Sequence, residues 1–200
     1  MRWMLTLTLA VATAVASYAC GENAPSRAGT LRLLITDAPY SEAKAFLVTF
    51  SEVTAHRSED GWSKLPFAAP DATSSAPASF TCDLKKLEKG ATATLGVGAL
   101  PVGHYTMIRL VVSSAKLFFD NATPEGAPAC AANIAAPGTG VDVTIPSGEV
   151  KLNRQFQLAA NDASEILIDF DGARSVVETG NNSYRMTPVI SIVSVKAPTQ

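Results

Sequence analysis

The sequence predicts an all-β protein, a sandwich or barrel of about ten short strands with two long loops. Three observations carry that expectation. Apolar residues recur with a two-residue period in short runs. Gly- and Pro-containing turn signals separate those runs. No stretch has the amphipathic period of a helix, and no repeat of roughly 20–50 residues points to a propeller or solenoid.

The strongest run is Ile166-Leu167-Ile168-Asp169-Phe170-Asp171-Gly172. Ile166, Ile168 and Phe170 share one parity and should face a core, which puts Asp169 and Asp171 on the opposite face at the strand end. Asp171-Gly172 supplies turn chemistry, and a second strand begins at Ser175.

Upstream, Leu31, Leu33 and Ile35 alternate with Arg32 and Leu34 until Pro39 stops the first strand. Phe46, Val48 and Phe50 alternate, then Val53 and Ala55 continue on the other parity; that one-residue slip predicts a β-bulge. Glu59-Asp60-Gly61 is a hairpin turn, with Trp62 opening the returning strand. Residues 66–79, rich in Pro, Ala and Ser, predict an exposed loop, and a strand over 80–84 leads into one helical turn over 85–89, ended by Gly90. Leu100-Pro101-Val102-Gly103-His104-Tyr105 is a turn feeding a strand that runs on to Phe119 with a break near Ser113-Ser114. Tyr105 should tuck its ring inside and bond a turn carbonyl. Residues 121–140 form the longest loop and hold Cys130. Val141, Val143 and Ile145 alternate, Pro146-Ser147-Gly148 turns the chain, and Leu152, Phe156 and Leu158 share one parity with Arg154 as a misfit that either pairs with a buried acid or sits at a strand end. The last strands flank Pro188.

The chain has 200 residues, 47% apolar and 17% charged, a globular composition with ample length for a core. A net charge of −2, with Lys85-Lys86 as an isolated basic pair, argues against a nucleic-acid partner. Residues 1–19 read as a signal peptide: Arg2 precedes an uncharged apolar stretch too short to span a bilayer, which needs roughly 18 residues. Small residues then precede Cys20. Cys20 has two readings. The segment resembles a lipobox, with Ser17 where Leu is usual and a bulky Tyr18, so Cys20 would be lipidated and residues 20–29 would be anchor and spacer ahead of a domain over 30–196. Ordinary cleavage after Ala19 would instead leave a free thiol. The chain has three cysteines. Lipidating Cys20 leaves Cys82 and Cys130 to pair in an oxidising compartment. The expected location is the cell envelope, anchored by lipid, and Gly21 after the cysteine is compatible with the outer membrane of a Gram-negative bacterium.

Several segments together resemble DUF4382, a family of bacterial envelope proteins. They are Leu33-Leu-Ile-Thr-Asp-Ala-Pro39, the Gly61-Trp62 hairpin, Leu100-Pro-Val-Gly-His-Tyr105, Ile168-Asp-Phe-Asp171 with Ser175, and Tyr184-Arg-Met-Thr-Pro188-Val-Ile190. The resemblance covers about residues 29–195, and Leu-Pro-x-Gly-x-Tyr recurs across prealbumin-like sandwiches. It implies a single Greek-key β-sandwich, prealbumin- or immunoglobulin-like, related to carbohydrate-binding modules. It implies no established activity or catalytic residue.

Asp169 and Asp171 lie about 7 Å apart along one strand face. With Glu165 or loop carbonyls they would hold Ca²⁺, which takes six or more oxygen ligands; two carboxylates in a solvated turn are the simpler reading, and no cofactor is expected. As a glycosidase acid pair they are weaker still. His56 and His104 are the only histidines, and no nucleophile, zinc or dinucleotide motif accompanies them. Trp62 either stacks on a sugar or packs across strands. The function expected is therefore a tethered, non-catalytic module that binds a glycan or protein or serves structurally, with a small hydrolase using a loop-end His or Asp as the alternative.

Overall fold

Thirteen strands, a 3-10 turn and one helical turn make up the fold in the computed structural model, which describes residues 27–38 and 41–196. The expected signal peptide, Cys20 and most of the spacer lie outside the described residues. In chain order the elements are β1 (Ala28–Ala38), β2 (Ala45–Arg57), β3 (Gly61–Lys64), β4 (Phe80–Asp83), the 3-10 turn (Leu84–Leu87), β5 (Ala93–Pro101), β6 (Gly103–Phe118) and β7 (Cys130–Ala131). They continue with β8 (Val141–Thr144), β9 (Glu149–Leu158), β10 (Ala163–Asp171), α1 (Gly172–Ser175), β11 (Val176–Gly180), β12 (Ser183–Met186) and β13 (Ile190–Lys196).

The smaller sheet has the order β13-β10-β1-β5. The larger runs β11-β12-β8-β6-β2-β4-β7, with β3 also paired to β2 and β9 to β6. Both are mixed: β1 and β10 run parallel, as do β8 and β12. β1 and β10 are the middle strands of the smaller sheet, so their inward side chains meet the larger sheet. Leu31, Leu33, Ile35, Ile166, Ile168 and Phe170 are all fully buried. Phe170 joins the two layers, edge-on to Phe46 and Phe50 of β2 at centroid distances of 6.2 and 6.5 Å.

The parity slip in β2 is a bulge. Against β6 the register shifts on both sides of Phe50, which leaves Ser51 and Ser113 unmatched and keeps both Phe50 and Val53 in the core. The break expected at Ser113-Ser114 is this bulge, and β6 runs through it as one strand. The hairpin at Gly61 forms as expected, with φ of +80° at the glycine.

Four expectations change. The strand count rises from about ten to thirteen partly because β5 carries Ala93, Gly96 and Gly98, too small to show an apolar period, and because the two-residue β7 forms within the expected 121–140 loop. Residues 66–79 are not all exposed: Phe67 is buried, bridges to Gly96 and stacks on Phe80. The turn near Lys85 is a 3-10 turn that starts one residue earlier and is capped by Asp83. Arg154 leaves the apolar pattern because β9 bulges against β6 between Asn153 and Phe156, and it is exposed.

Candidate functional site

The carboxylates singled out in the sequence sit where β1 and β10 end side by side. Their register pairs Thr36 with Asp169, Asp37 with Phe170 and Ala38 with Asp171. Strand alternation therefore splits the acids between two faces of the sheet. Asp169 and Asp171 face away from the core, and Asp37 faces into it with Phe170. Asp171 is a cap: its Oδ1 accepts the Arg174 N–H at 2.9 Å, and the Arg174 guanidinium lies 3.8 Å from Oδ2. Burial, then the neighbouring Asp171, raises the pKa of Asp169. Among the described residues, no group of three or more His, Cys, Asp or Glu is placed to hold a metal ion.

The inward position of Asp37 is legible in the sequence. The residue shares the odd-numbered parity of Leu31, Leu33 and Ile35, so it must follow them inward. It is 4% exposed. Its Oδ1 accepts the Gly172 N–H at 3.2 Å, and its Oδ2 has no partner among the described residues. Burial pushes its pKa up to about 8, with the Gly172 hydrogen bond opposing and the charges of Asp169 and Glu88 reinforcing.

Trp62 belongs to a second constellation, on the outer face of the larger sheet. One cross-strand row there is Trp62, His56, Met107 and Asn153, and the next is Lys64, Thr54, Arg109 and Lys151. Trp62 is 40% exposed. The His56 ring meets it edge-on at 4.9 Å, and the Arg109 guanidinium lies over it at 4.6 Å. Arg109 is itself held by Glu52 at 2.6 Å, Glu149 at 3.7 Å and the Thr54 hydroxyl at 3.2 Å. Trp62 thus packs across strands, as one of the two expectations had it, while remaining partly exposed to solvent. Arg109 was not singled out in the sequence, because the partner of a strand residue is set by register that composition does not reveal.

His56 makes its hydrogen bond with Thr106, Nδ1 to Oγ1 at 3.0 Å. His104 is exposed at the start of β6, opposite Gln157. Tyr105 is fully buried, stacks on Phe156 and donates its hydroxyl to the Pro101 carbonyl at 2.7 Å, the structural role expected of it.

Cys82 and Cys130 form a disulfide, as cysteine parity predicts. The loop it clasps is also held by Thr123, whose hydroxyl donates to the buried Asp83 Oδ2 at 2.6 Å. The Lys86 ammonium donates to the carbonyls of Pro124 and Ala127, each at 2.6 Å. This loop walls a trough of about 450 Å³ between the β5 and β7 edges, lined by Ala68, Phe80, Thr94, Pro128, Cys130 and Ala131 among others.

A family model described as a domain of unknown function, DUF4382, matches residues 28–188. The chain belongs to the DUF4382 family. Neither a curated protein nor a solved structure matches it. The matched span of this DUF4382 chain starts with β1 and ends after β12, so it contains Asp37, the Trp62 face and the disulfide. β13 lies beyond the span, although it pairs with β10 and completes the smaller sheet.

Proposed function

We propose that this DUF4382 protein is an exported, membrane-tethered, non-catalytic module of the cell envelope that binds a glycan on the outer face around Trp62. The observation that carries this reading is the part-exposed Trp62 ring, braced by Arg109 and His56 on the outer face of the larger sheet. A rigid, amphipathic aromatic side chain provides contact area at little entropic cost, and the Glu, Lys, Asn and Thr side chains around it offer partners to sugar hydroxyls. The signal segment and cysteine parity support lipid tethering at Cys20, and the balanced charge supports a partner other than nucleic acid.

The alternative, a small hydrolase using His104 or the Asp169/Asp171 pair, has less support: His104 is exposed opposite Gln157, and Asp171 caps α1. A working triad needs an acid to orient the histidine, and the carboxylates at the ends of β1 and β10 are split between two sheet faces. Binding is therefore the better-supported role.

Trp3 lies in the expected leader, so Trp62 is the one tryptophan of the mature chain and its fluorescence reports on the site. Glycans retained on an array should shift that fluorescence in titration, and Trp62→Ala should lose them while melting normally. Retention of the same glycans by Trp62→Ala, or no glycan retained by the parent, would count against this face. Tethering is tested separately: Cys20→Ser should release the protein from membranes, and a mature mass with no acyl groups would exclude the anchor. Stable attachment requires more than one chain.

A further inference from the structure

Near its C-terminus the chain leaves the smaller sheet and comes back. β10 ends there, α1 turns the corner, the β11–β12 hairpin joins the larger sheet, and residues 187–189 lead back to β13. The two crossings are knitted together at Ser175. Its carbonyl accepts the Thr187 N–H at 2.9 Å, its Oγ accepts the Val189 N–H at 2.9 Å, and its hydroxyl donates to the Asp171 carbonyl at 2.6 Å. Beyond this corner the hairpin's ladder to the rest of its sheet is short, Tyr184–Val143 and Arg185–Thr144 with β8, and Val176, Tyr184 and Met186 anchor it in the core. From 135 positions earlier in the chain, Asp37 reaches the same corner and takes the Gly172 N–H.

Asp37 is poorly placed to carry a charge. Its second oxygen is buried and unpartnered among the described residues. Asp169 on β10 and Glu88 after the 3-10 turn add negative charge around it. Lys85 on that turn opposes them, but its ammonium is engaged by Glu88. Arg174, the cation of α1, is 75% exposed and sits by Asp171. An uncompensated buried carboxylate is costly, whereas the neutral acid still offers Gly172 an acceptor.

We propose that Asp37 is a proton-operated latch: its neutral form fastens the α1 corner and the β11–β12 hairpin to the end of β1, and loss of its proton loosens them. Opening admits water to the carboxyl and returns it to ordinary behaviour. The closed form then holds a proton with a pKa of about 8, against the ordinary carboxylate value of 3.8 once open. Between those values the closed form binds more protons than the open one, so opening becomes easier as pH rises from about 4 to about 8 and stops changing above that. The latch is tight in acid and loose in mild alkali.

Hydrogen exchange followed by mass spectrometry on the full-length protein tests this between about pH 5 and about pH 8. The opening constant for peptides covering residues 172–186, taken relative to peptides of β2 and β6, should rise by up to about tenfold per pH unit. Asp37→Asn keeps an acceptor for Gly172 and cannot ionise, so its ratio should stay flat. If that variant does not fold, Asp169→Asn decides: removing the neighbouring charge should move the upper end of the window to lower pH. A flat ratio in the parent, an undiminished slope in Asp37→Asn, or an unmoved window in Asp169→Asn would each overturn the latch.

Discussion

Cys82 and Cys130 face each other directly across the β4–β7 ladder, with Cα atoms 4.0 Å apart. The disulfide therefore links neighbouring strands at the edge of one sheet. β7 is two residues long and pairs with β4 through Thr81–Ala131 and Cys82–Cys130 alone. So short a strand has little ladder of its own, and the covalent bond fixes it. The cysteines are 48 residues apart in sequence. The chain-entropy account puts closure of such a loop at roughly 4 kcal/mol, an upper figure because other tethers remain. Denatured, unreduced protein should take up no alkylating label at either cysteine. Reduction should lower the urea midpoint and make residues 121–140 the first site of proteolysis.

Those other tethers arise from the same stretch of chain. Asp83 is 1% exposed, and its carboxylate takes the Phe46 N–H, the Lys85 N–H and the Thr123 hydroxyl. Thr123→Val removes one donor and leaves a buried carboxylate oxygen short of a partner, a change expected to cost about 1–3 kcal/mol in urea unfolding. Lys86→Met strips the ammonium from carbonyls that can turn to water, so it should cost less. Both variants should hasten cleavage within residues 121–140, and Thr123→Val combined with reduction should hasten it further.

Large alternating side chains made the fold legible, and small ones hid it. Ile166, Ile168 and Phe170 disclose their strand because each carries enough apolar area to demand burial. β5 shows no apolar period because Gly96 and Gly98 are required by space: a Cβ at either would lie within 3.0 Å of Pro66. The Asp37 environment was half legible, since its parity shows that it points inward, whereas its neighbours Glu88 and Gly172 come from distant segments. The brace on Trp62 was not legible, because it depends on the bulged register between β2 and β6.

Asp169 and Asp171 should behave as a turn and a solvated face. Asp171→Ala removes a cap and should cost about 1 kcal/mol. Asp169→Asn relieves repulsion between the two acids and should be neutral or slightly stabilising. Calcium should leave the melting temperature of the parent unchanged. A rise that grows with calcium concentration and vanishes in Asp169→Asn/Asp171→Asn would instead reveal a bound ion.

Gly148 offers the sharpest test of how the fold supports the Trp62 face. Its carbonyl accepts the Val112 N–H at 2.9 Å, and a Cβ built on it would lie 2.0 Å from the Val112 carbonyl oxygen. Backbone stands in the way there, so no side-chain rotation can relieve the clash. Gly148→Ala must displace the start of β9, and overpacking of this kind costs typically about 1–3 kcal/mol. The next residue is Glu149, which approaches Arg109 and is held by Lys151 at 2.9 Å. Shifting it should loosen the guanidinium over Trp62 and alter the emission of that ring. Glu149→Gln removes the charge without moving the backbone and should leave stability nearly unchanged, since the pair is exposed. An emission change in Gly148→Ala larger than that in Glu149→Gln would show that the position of β9 sets the Trp62 brace. Equal changes would show that the charge alone does.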